Sequence, residues 1–241
     1  MWSIFRKEVS AFFNSLIAYI VIGVFLLLNG LLFWLYPETN ILDYGYAEMD
    51  GFFQLCPYIL LFFVPAITMR MFSEELRSGT IEFLLTRPVS IPAVIGGKYL
   101  SCIFIILLAL LPTVIYYISL YKLGNPEGNI DSAAVAGSYF GLVLLAAVYA
   151  AAGLFLSSVT RNQVVAFLLT ALVCYTLFAG FEQVSGLFSG VTQYILSYLG
   201  LSFHYNSLGK GIIDSRDVTW LVSVALVFLV FTLSSLNNIR K

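Results

Sequence analysis

Residues 71–90 read MFSEELRSGTIEFLLTRPVS and form a charged stretch between two long apolar ones. Charged residues make up only 10% of the whole chain. Because an apolar environment cannot solvate so many charges, this stretch must lie in water. Its charged side chains are Glu74, Glu75, Arg77, Glu82 and Arg87, with Arg70 and Lys98 at the margins.

The first half of this stretch has the signals of a short helix. Ser73 is a favourable N-cap residue, and Glu74 and Glu75 follow in the first turn, where carboxylates stabilise the positive end of a helix. Gly79 is expected to end this helix. The sequence therefore predicts a helix that begins at Ser73 and stops after one or two turns.

The second half predicts another short helix, capped by Thr80 and ending at Arg87, because a residue that precedes proline is disfavoured in helical dihedrals. Ser90 would cap the next helix, with Pro92 in its first turn. Together the two halves indicate a broken amphipathic helix at a membrane surface. Its apolar side is Leu76, Ile81, Phe83, Leu84 and Leu85, and its polar side is Glu74, Glu75, Arg77 and Glu82.

The composition identifies the chain as an integral membrane protein. Of its 241 residues 60% are hydrophobic, and its mean hydropathy is +0.94, whereas a globular domain has about 45–50% apolar residues. The net charge of -1 and the absence of a basic run argue against a nucleic-acid partner. No removable signal peptide is expected, because the N-terminus lacks a short apolar core with a cleavage site.

A spanning helix needs about 20 apolar residues, and the sequence predicts an all-α membrane domain over residues 1–241 with six such helices. Pro112 and Pro65 are expected to kink the third and second helices. Small residues in the fourth, among them Gly137, Gly141 and Gly153, would allow close helix packing within the subunit or across a dimer interface. The spans are predicted at roughly 15–36, 55–72, 93–121, 135–158, 163–182 and 218–236.

Residues 1–13 predict an interfacial helix ahead of the first span. Trp2 and Phe5 fall on its apolar face, while Arg6 and Lys7 fall on its polar face. The helix is either an elbow that borders the charged stretch or a simple membrane anchor.

The distribution of basic residues predicts the orientation in the membrane. With a cytoplasmic N-terminus, nine of the twelve basic residues lie inside, as the positive-inside rule favours. Lys122, Lys210 and Arg216 would then lie outside. Both termini are therefore expected in the cytoplasm. The inside residues would be Arg6, Lys7, Arg70, Arg77, Arg87, Lys98, Arg161, Arg240 and Lys241.

The segment 184–205 is moderately apolar but interrupted by glycine and serine. We expect one or two short helices that dip into the outer leaflet and pack on the bundle. Glu182, at the outer end of the fifth span, is a weak candidate for a substrate or gating role. His204 is expected to be an interfacial side chain.

Catalytic chemistry finds little support in the sequence. No Gly-x-x-x-x-Gly-Lys-Ser/Thr loop is present, so the chain has no nucleotide-hydrolysis motif of that type. The cysteines Cys56, Cys102 and Cys174 predict neither a disulfide framework nor a metal cluster. No constellation of catalytic residues at membrane depth supports an intramembrane enzyme.

The charged stretch closely resembles the signature of the ABC-2 type permeases, the membrane subunits of one class of ATP-binding-cassette transporter. The matching pattern is Glu74-Glu75-x-x-x-Gly79-Thr80-x-Glu82-x-Leu84-Leu85-Thr86-x-Pro88-Val89-Ser90, placed between the second and third of six spans. The topology and the N-terminal interfacial helix extend the resemblance over essentially the whole chain.

The resemblance implies that residues 73–85 are a coupling helix that docks on a separate cytoplasmic ATPase. Glu74 and Glu75 would contact the ATPase or the elbow residues Arg6 and Lys7. The turn back into the membrane would be formed by Thr86, Arg87 and Pro88. The implied docking residues are Ser73, Glu74, Glu75, Leu76, Arg77, Gly79, Thr80, Glu82 and Leu85.

The resemblance also implies the partners. Two copies of the ATPase would bind ATP and magnesium, while this chain would bind no cofactor and reside in a bacterial inner membrane. Phe5-Arg6-Lys7-Glu8-Val9 and Ala18-Tyr19-Ile20 are similar to the permease subunits associated with gliding motility. In that group the second permease subunit would be distinct, larger and carry an extracytoplasmic domain.

Two rival functions stay open from the sequence. The chain could anchor or regulate a cell-envelope machine without moving a solute, or it could belong to an ABC-2 exporter of another system. The few polar residues within the spans are compatible with mechanical work or a lipid-like substrate.

Overall fold

The computed structural model describes residues 1–36, 41, 46, 48–81, 90–209 and 214–240, with only the backbone of residue 240. The ordered elements in these ranges are helices. They are α1 (Trp2–Phe13), α2 (Leu16–Trp34), α3 (Asp50–Thr68), α4 (Ser73–Ser78), α5 (Ile91–Leu110), α6 (Val114–Leu123), α7 (Ser132–Val159), α8 (Gln163–Tyr175), α9 (Phe181–Ser185), α10 (Val191–Leu199), α11 (Leu201–Leu208) and α12 (Ser215–Arg240).

Within the described ranges, six helical stretches are long and apolar enough to cross a membrane. The prediction of an all-α protein with six spans is thereby confirmed, and the chain is a multi-pass membrane protein. The third span is the longest of them, with 33 residues, so it exceeds the thickness of an ordinary bilayer. The stretches are Leu16–Trp34, Asp50–Ser78, Ile91–Leu123, Ser132–Val159, Gln163–Ser185 and Ser215–Ile239.

The fourth span, α7, lies at the centre of the bundle. It packs against α3, α5, α8, α11 and α12, and its small residues are buried by these neighbours. At Gly153 a Cβ atom would lie 2.1 Å from the Thr68 hydroxyl oxygen of α3, so only glycine permits this approach. The small residues of α7 thus serve packing within the chain, and the dimer-interface alternative does not apply to them.

Proline and a wide turn interrupt the long spans. Pro112 lies in a 3-10 turn, Leu111–Thr113, that separates α5 from α6, as predicted. Pro65 lies within α3, together with Pro57, which the sequence analysis did not consider. In the fifth span a π-helical turn, Thr176–Gly180, joins α8 to α9, and no sequence signal had indicated it.

The segment predicted at 184–205 contains the short helices α10 and α11. Gly190 begins α10 with φ +70°, a conformation that glycine adopts without strain. Helix α11 packs against α7 and α12, and the Tyr205 hydroxyl donates to the Phe53 carbonyl of α3 over 2.7 Å. These contacts hold the segment on the bundle.

His204 is a correction to the sequence analysis. It is fully buried, and its Nδ1 lies 2.6 Å from Oδ1 of Asp217 on α12. Its Nε2 is 2.8 Å from the Tyr198 carbonyl, and its ring stacks on Trp220 at 5.3 Å. The prediction of an interfacial side chain was wrong, because α11 packs against α10 and α12 so that the imidazole is enclosed, with Tyr198 of α10 and Asp217 of α12 as partners for its two nitrogens.

Candidate functional site

The first backbone amides of α4 are capped by a hydroxyl group that is distant in the sequence. The Phe72 and Ser73 backbone amides donate to Oγ of Ser157, over 2.9 and 3.1 Å. Ser73 itself is buried, and its hydroxyl donates backwards to the Met69 carbonyl. The prediction that the Ser73 side chain caps this helix was therefore wrong, because Ser157 of α7 occupies that role.

The end of α4 agrees with the sequence. Gly79 follows the last helical residue with φ +72°, the left-handed conformation that commonly terminates a helix. Oγ of Ser78 lies 2.8 Å from Oγ1 of Thr80. The second short helix, predicted from the cap Thr80 to Arg87, lies outside the described residues from position 82 onward. Ser90 precedes α5 in extended conformation and Pro92 lies in its first turn, but the Ser90 side chain makes no capping hydrogen bond.

A buried lysine lies where α1, α4 and α5 meet. Lys98 of α5 has only 1% of its side chain exposed. Its ammonium donates to Oε1 of Glu8 over 2.9 Å and to Oε1 of Glu75 over 3.0 Å. A third hydrogen bond, of 2.6 Å, goes to the Met71 carbonyl. A lysine ammonium has three protons to donate, so these partners satisfy it completely.

Lys7 adds a second positive charge to this group of side chains. Its ammonium is 3.3 Å from Oε1 of Glu75 and 3.5 Å from Oε1 of Glu8, and 60% of its side chain is exposed. Burial by itself would lower the pKa of Lys7, but the carboxylates of Glu8 and Glu75 outweigh burial and raise it. We call Lys7, Glu8, Glu75 and Lys98 the charged cluster; its two ammonium groups balance its two carboxylates.

The charged cluster fixes the position of α4 relative to the membrane-embedded helices. Glu75 is contributed by α4, Glu8 by α1 and Lys98 by the third span. Because a charge buried without a partner is costly, α4 cannot move away from α1 or α5 without exposing the ammonium of Lys98 or stranding it. The three elements are therefore held as one unit.

The remaining side chains of α4 point away from this cluster. Glu74 and Arg77 are exposed, Leu76 is partly buried, and Gly79 and Thr80 are exposed. These residues offer a polar surface beside the charged cluster. The predicted residues Glu82, Leu85, Thr86, Arg87 and Pro88 lie outside the described residues.

The predicted elbow residues make two kinds of contact, aromatic packing and ion pairs. Trp2 is 74% exposed, stacks on Phe5 at 4.9 Å, and Phe5 meets Phe104 of α5 edge-on at 5.6 Å. Arg6 is exposed and takes no part in the charged cluster, whereas Lys7 does. Of the two basic residues expected beside Glu75, the structure thus brings only Lys7 to it.

Sequence reasoning missed Glu8, Lys98 and Ser157 as members of this site. The charged stretch at residues 71–90 has Lys98 at its margin, but this lysine lies several residues inside an apolar span. An ionisable residue within a span normally has a partner, and this signal could have prompted a search for a carboxylate. Nothing in the sequence singles out Ser157 from the other serines of α7.

Glu182 lies far from the charged cluster. The C-terminal end of α7 meets α4 through Ser157, and the fifth span runs from there to the opposite end of the bundle, where Glu182 is exposed beside Ser197 and Asn206 of the outer helices. It lines a shallow cavity there. The structure does not bring Glu182 together with any other predicted site residue.

The fold and this site define a class of protein: a multi-pass helical membrane subunit whose short polar helix is tied to an interfacial helix and a span. More specifically, the chain belongs to the ABC-2 family of transporter proteins, since the family model matches residues 2–238. Membership implies a permease subunit with a cytoplasmic ABC ATPase as partner. A search of curated proteins found no match.

Proposed function

We propose that this chain is the permease half of an ABC transporter and that α4 is its coupling helix, which receives the motion of a separate ATPase. The ATPase would be cytoplasmic, present in two copies, and would bind ATP and magnesium. The present chain would supply the docking surface and the membrane bundle. The buried contacts of Lys98, which join α4 to α1 and α5, are the observation that carries this proposal.

The geometry suits a mechanical relay. A helix that transmits force must be rigidly tied to the spans that it moves, because a flexible tie would absorb the displacement. Two charge-assisted hydrogen bonds from one ammonium provide such a tie. Glu74 and Arg77, exposed on α4, stay available for the ATPase.

Docking and transmission can be tested separately, since different side chains serve them. We expect the variant Glu74→Lys with Arg77→Glu to lose the ATPase on co-purification in detergent while folding normally. A second variant, Lys98→Met with Glu8→Gln and Glu75→Gln, removes the buried charges of the tie together and leaves only the exposed Lys7 without its carboxylates. It should retain the ATPase but reduce ATP-dependent movement of the spans, measured by distances between spin labels on α5 and α12.

The matched control for the docking variant is Lys122→Glu with Glu127→Lys, a charge reversal at exposed positions in the last turn of α6 and on the loop that follows it. It should leave ATPase binding unchanged. If the α4 reversal binds the ATPase as well as the unaltered chain does, α4 is not the docking element.

The second permease subunit is part of the same proposal. An ABC-2 complex requires two membrane bundles around one transport path, and we infer that a distinct, larger permease with an extracytoplasmic domain supplies the other. Association with bacterial gliding motility, in an inner membrane, rests on the resemblance of residues 5–9 and 18–20. Co-purification of neighbouring gene products with the tagged chain would identify this partner, and a homodimer would contradict the proposal.

A mechanical role in the envelope is the alternative that one structural feature favours. Polar side chains within the spans are used internally; for example, Asn29 donates to the Phe25 carbonyl over 2.7 Å, and Thr170 donates to Ala166 over 2.7 Å. These donors are therefore not free to line a hydrophilic path, although Oδ1 of Asn29 and the Tyr149 hydroxyl are buried without a partner in the described part of the chain. ATPase activity without accumulation of any solute in vesicles would favour mechanical work over transport.

A further inference from the structure

A cavity of about 210 Å³ opens between α1, the start of α2, the end of α3 and α4. Its walls are mainly apolar, with Phe12 and Ala18 on one side and Ala66 and Ile67 on the other. Its polar lining is confined to Glu8, Ser15, Arg70 and Glu74. The cavity borders α1, and a helix of this amphipathic type lies where the headgroups of a bilayer meet its acyl chains.

Arg70 brings an unused positive charge to this cavity. Its Nε atom is buried, and it has no hydrogen-bond partner among the residues that the structure describes. A buried donor without a partner is costly in an apolar setting, so this group calls for an acceptor other than the residues that the structure describes. An arginine guanidinium binds a phosphate particularly well, since its fork of N–H groups matches two phosphate oxygens.

Ser15 provides a second donor on the same cavity. Its Oγ accepts from the Ile17 amide over 3.3 Å, which leaves the hydroxyl proton free to donate. A phosphate between Arg70 and Ser15 would therefore receive hydrogen bonds from both sides.

The carboxylates of the cavity favour a phosphate-bearing headgroup that also carries a positive charge. Oε1 of Glu8 is occupied by Lys98, whereas Glu74 has no ion-pair partner in the described part of the chain. A purely anionic headgroup would be repelled by Glu74. A headgroup that carries an ammonium next to its phosphate would pair with both Arg70 and Glu74.

We propose that this cavity binds a phospholipid with a phosphodiester and a primary ammonium, such as phosphatidylethanolamine, from the leaflet beside α1. Arg70 and Ser15 hold the phosphate, Glu74 accepts from the ammonium, and the acyl chains leave along α2, where Leu16, Tyr19 and Ile20 are exposed. A bound lipid would thereby brace the interfacial helix against the second span.

A lipid fits these observations better than a peptide of the ATPase. The walls are apolar over most of their area, and the exposed apolar residues of α2 continue away from the cavity. A peptide segment would leave backbone groups unpaired against such walls. Lipid binding can be measured on this chain alone. Because Glu74 belongs to both proposed surfaces, Arg77→Glu by itself, which lies outside the cavity lining, tests ATPase docking without altering the lipid site.

The test is native mass spectrometry of the full chain, delipidated in detergent and titrated with phosphatidylethanolamine, phosphatidylcholine or phosphatidylglycerol that carry identical acyl chains. We expect one molecule of the ethanolamine lipid to bind, about tenfold more tightly than the choline lipid, which cannot donate from its nitrogen. Arg70→Ala should lower the affinity for the ethanolamine lipid by about tenfold. Glu74→Gln should bring the ethanolamine lipid to the affinity of the choline lipid.

Matched controls are Arg161→Ala and Glu127→Gln, which remove the same charges at exposed positions away from the cavity and should change nothing. Melting curves of each variant verify that it folds. Equal binding of all three lipids with no effect of Arg70→Ala would overturn the site. Tighter binding of phosphatidylglycerol would overturn the ammonium contact. Protection of an Ala11→Cys probe, which lines the cavity and leaves Arg70 and Glu74 in place, from labelling by the ATPase but not by lipid would assign the cavity to the ATPase instead.

Discussion

Lys98 shows how one side chain can carry a charge inside this protein. Its ammonium is almost completely buried, but three oxygen atoms surround it within 3.0 Å. The ring of Phe72 adds a cation–π contact, with its centroid 5.0 Å from the ammonium. The charge is therefore stable only because residues from α1 and α4 come to it.

At this position we predict that Lys98→Met lowers stability by about 3 kcal/mol, because the carboxylates of Glu8 and Glu75 lose their buried counter-charge and keep only the exposed ammonium of Lys7. Thermal unfolding in detergent measures the effect. The variant that also changes Glu8 and Glu75 to glutamine should regain most of the loss. Unchanged melting of Lys98→Met would mean that the cluster contributes nothing to the fold.

The buried pair of His204 and Asp217 makes a second residue-scale prediction. The Tyr198 carbonyl can only accept, so Nε2 of His204 must donate to it. The hydrogen bond between Nδ1 of His204 and Oδ1 of Asp217 then needs a single proton, carried by either of these two atoms. We expect Asp217→Ala to cost about 3 kcal/mol, since it strands a buried polar ring.

Asp217→Asn is the informative control for that variant. An asparagine amide can donate to Nδ1 of a neutral imidazole, so it should retain most of the stability that alanine loses. Hydrogen exchange over residues 198–208 would report the difference, because α11 is the element that the pair anchors to α12. Equal exchange in both variants would argue against the shared proton.

The packing of helices against α7 depends on its glycine residues. A Cβ at Gly153 would overlap the Thr68 hydroxyl, which itself donates to the Val64 carbonyl over 3.0 Å. We therefore predict that Gly153→Ala destabilises the protein by about 1–3 kcal/mol. Gly23→Ala is the matched control, since nothing lies within 4 Å of a Cβ there. Similar melting temperatures for the two variants would contradict this account.

Element boundaries were predictable where a local signal sets them. Gly79 ends α4 and Pro112 breaks the third span as expected, because the dihedral preferences of glycine and proline act at their own positions. The start of α4 was not predictable in detail. Its amides find their acceptor on Ser157, 85 positions from Phe72, and no local rule connects such residues.

An even number of spans leads us to expect residues near both ends of the sequence on one face of the membrane. Cysteine probes should verify this, because the native cysteines Cys56, Cys102 and Cys174 are buried. We predict that Ser3→Cys and Asn238→Cys react with an impermeant maleimide only after the membrane is opened, while Glu127→Cys reacts in intact cells. Labelling of Asn238→Cys and Glu127→Cys from the same side would contradict the topology.

The class of fold follows from hydropathy and charge, because these are local properties that govern insertion into a bilayer one span at a time. Six apolar spans, an interfacial helix and a polar helix between the second and third spans could all be predicted in this way. Which charges meet could not, because that depends on contacts between distant parts of the chain. Lys98 and Glu8 are 90 positions apart, and His204 reaches Asp217 across two helices. Such pairs depend on how the helices pack, and that packing depends on shape over the whole bundle.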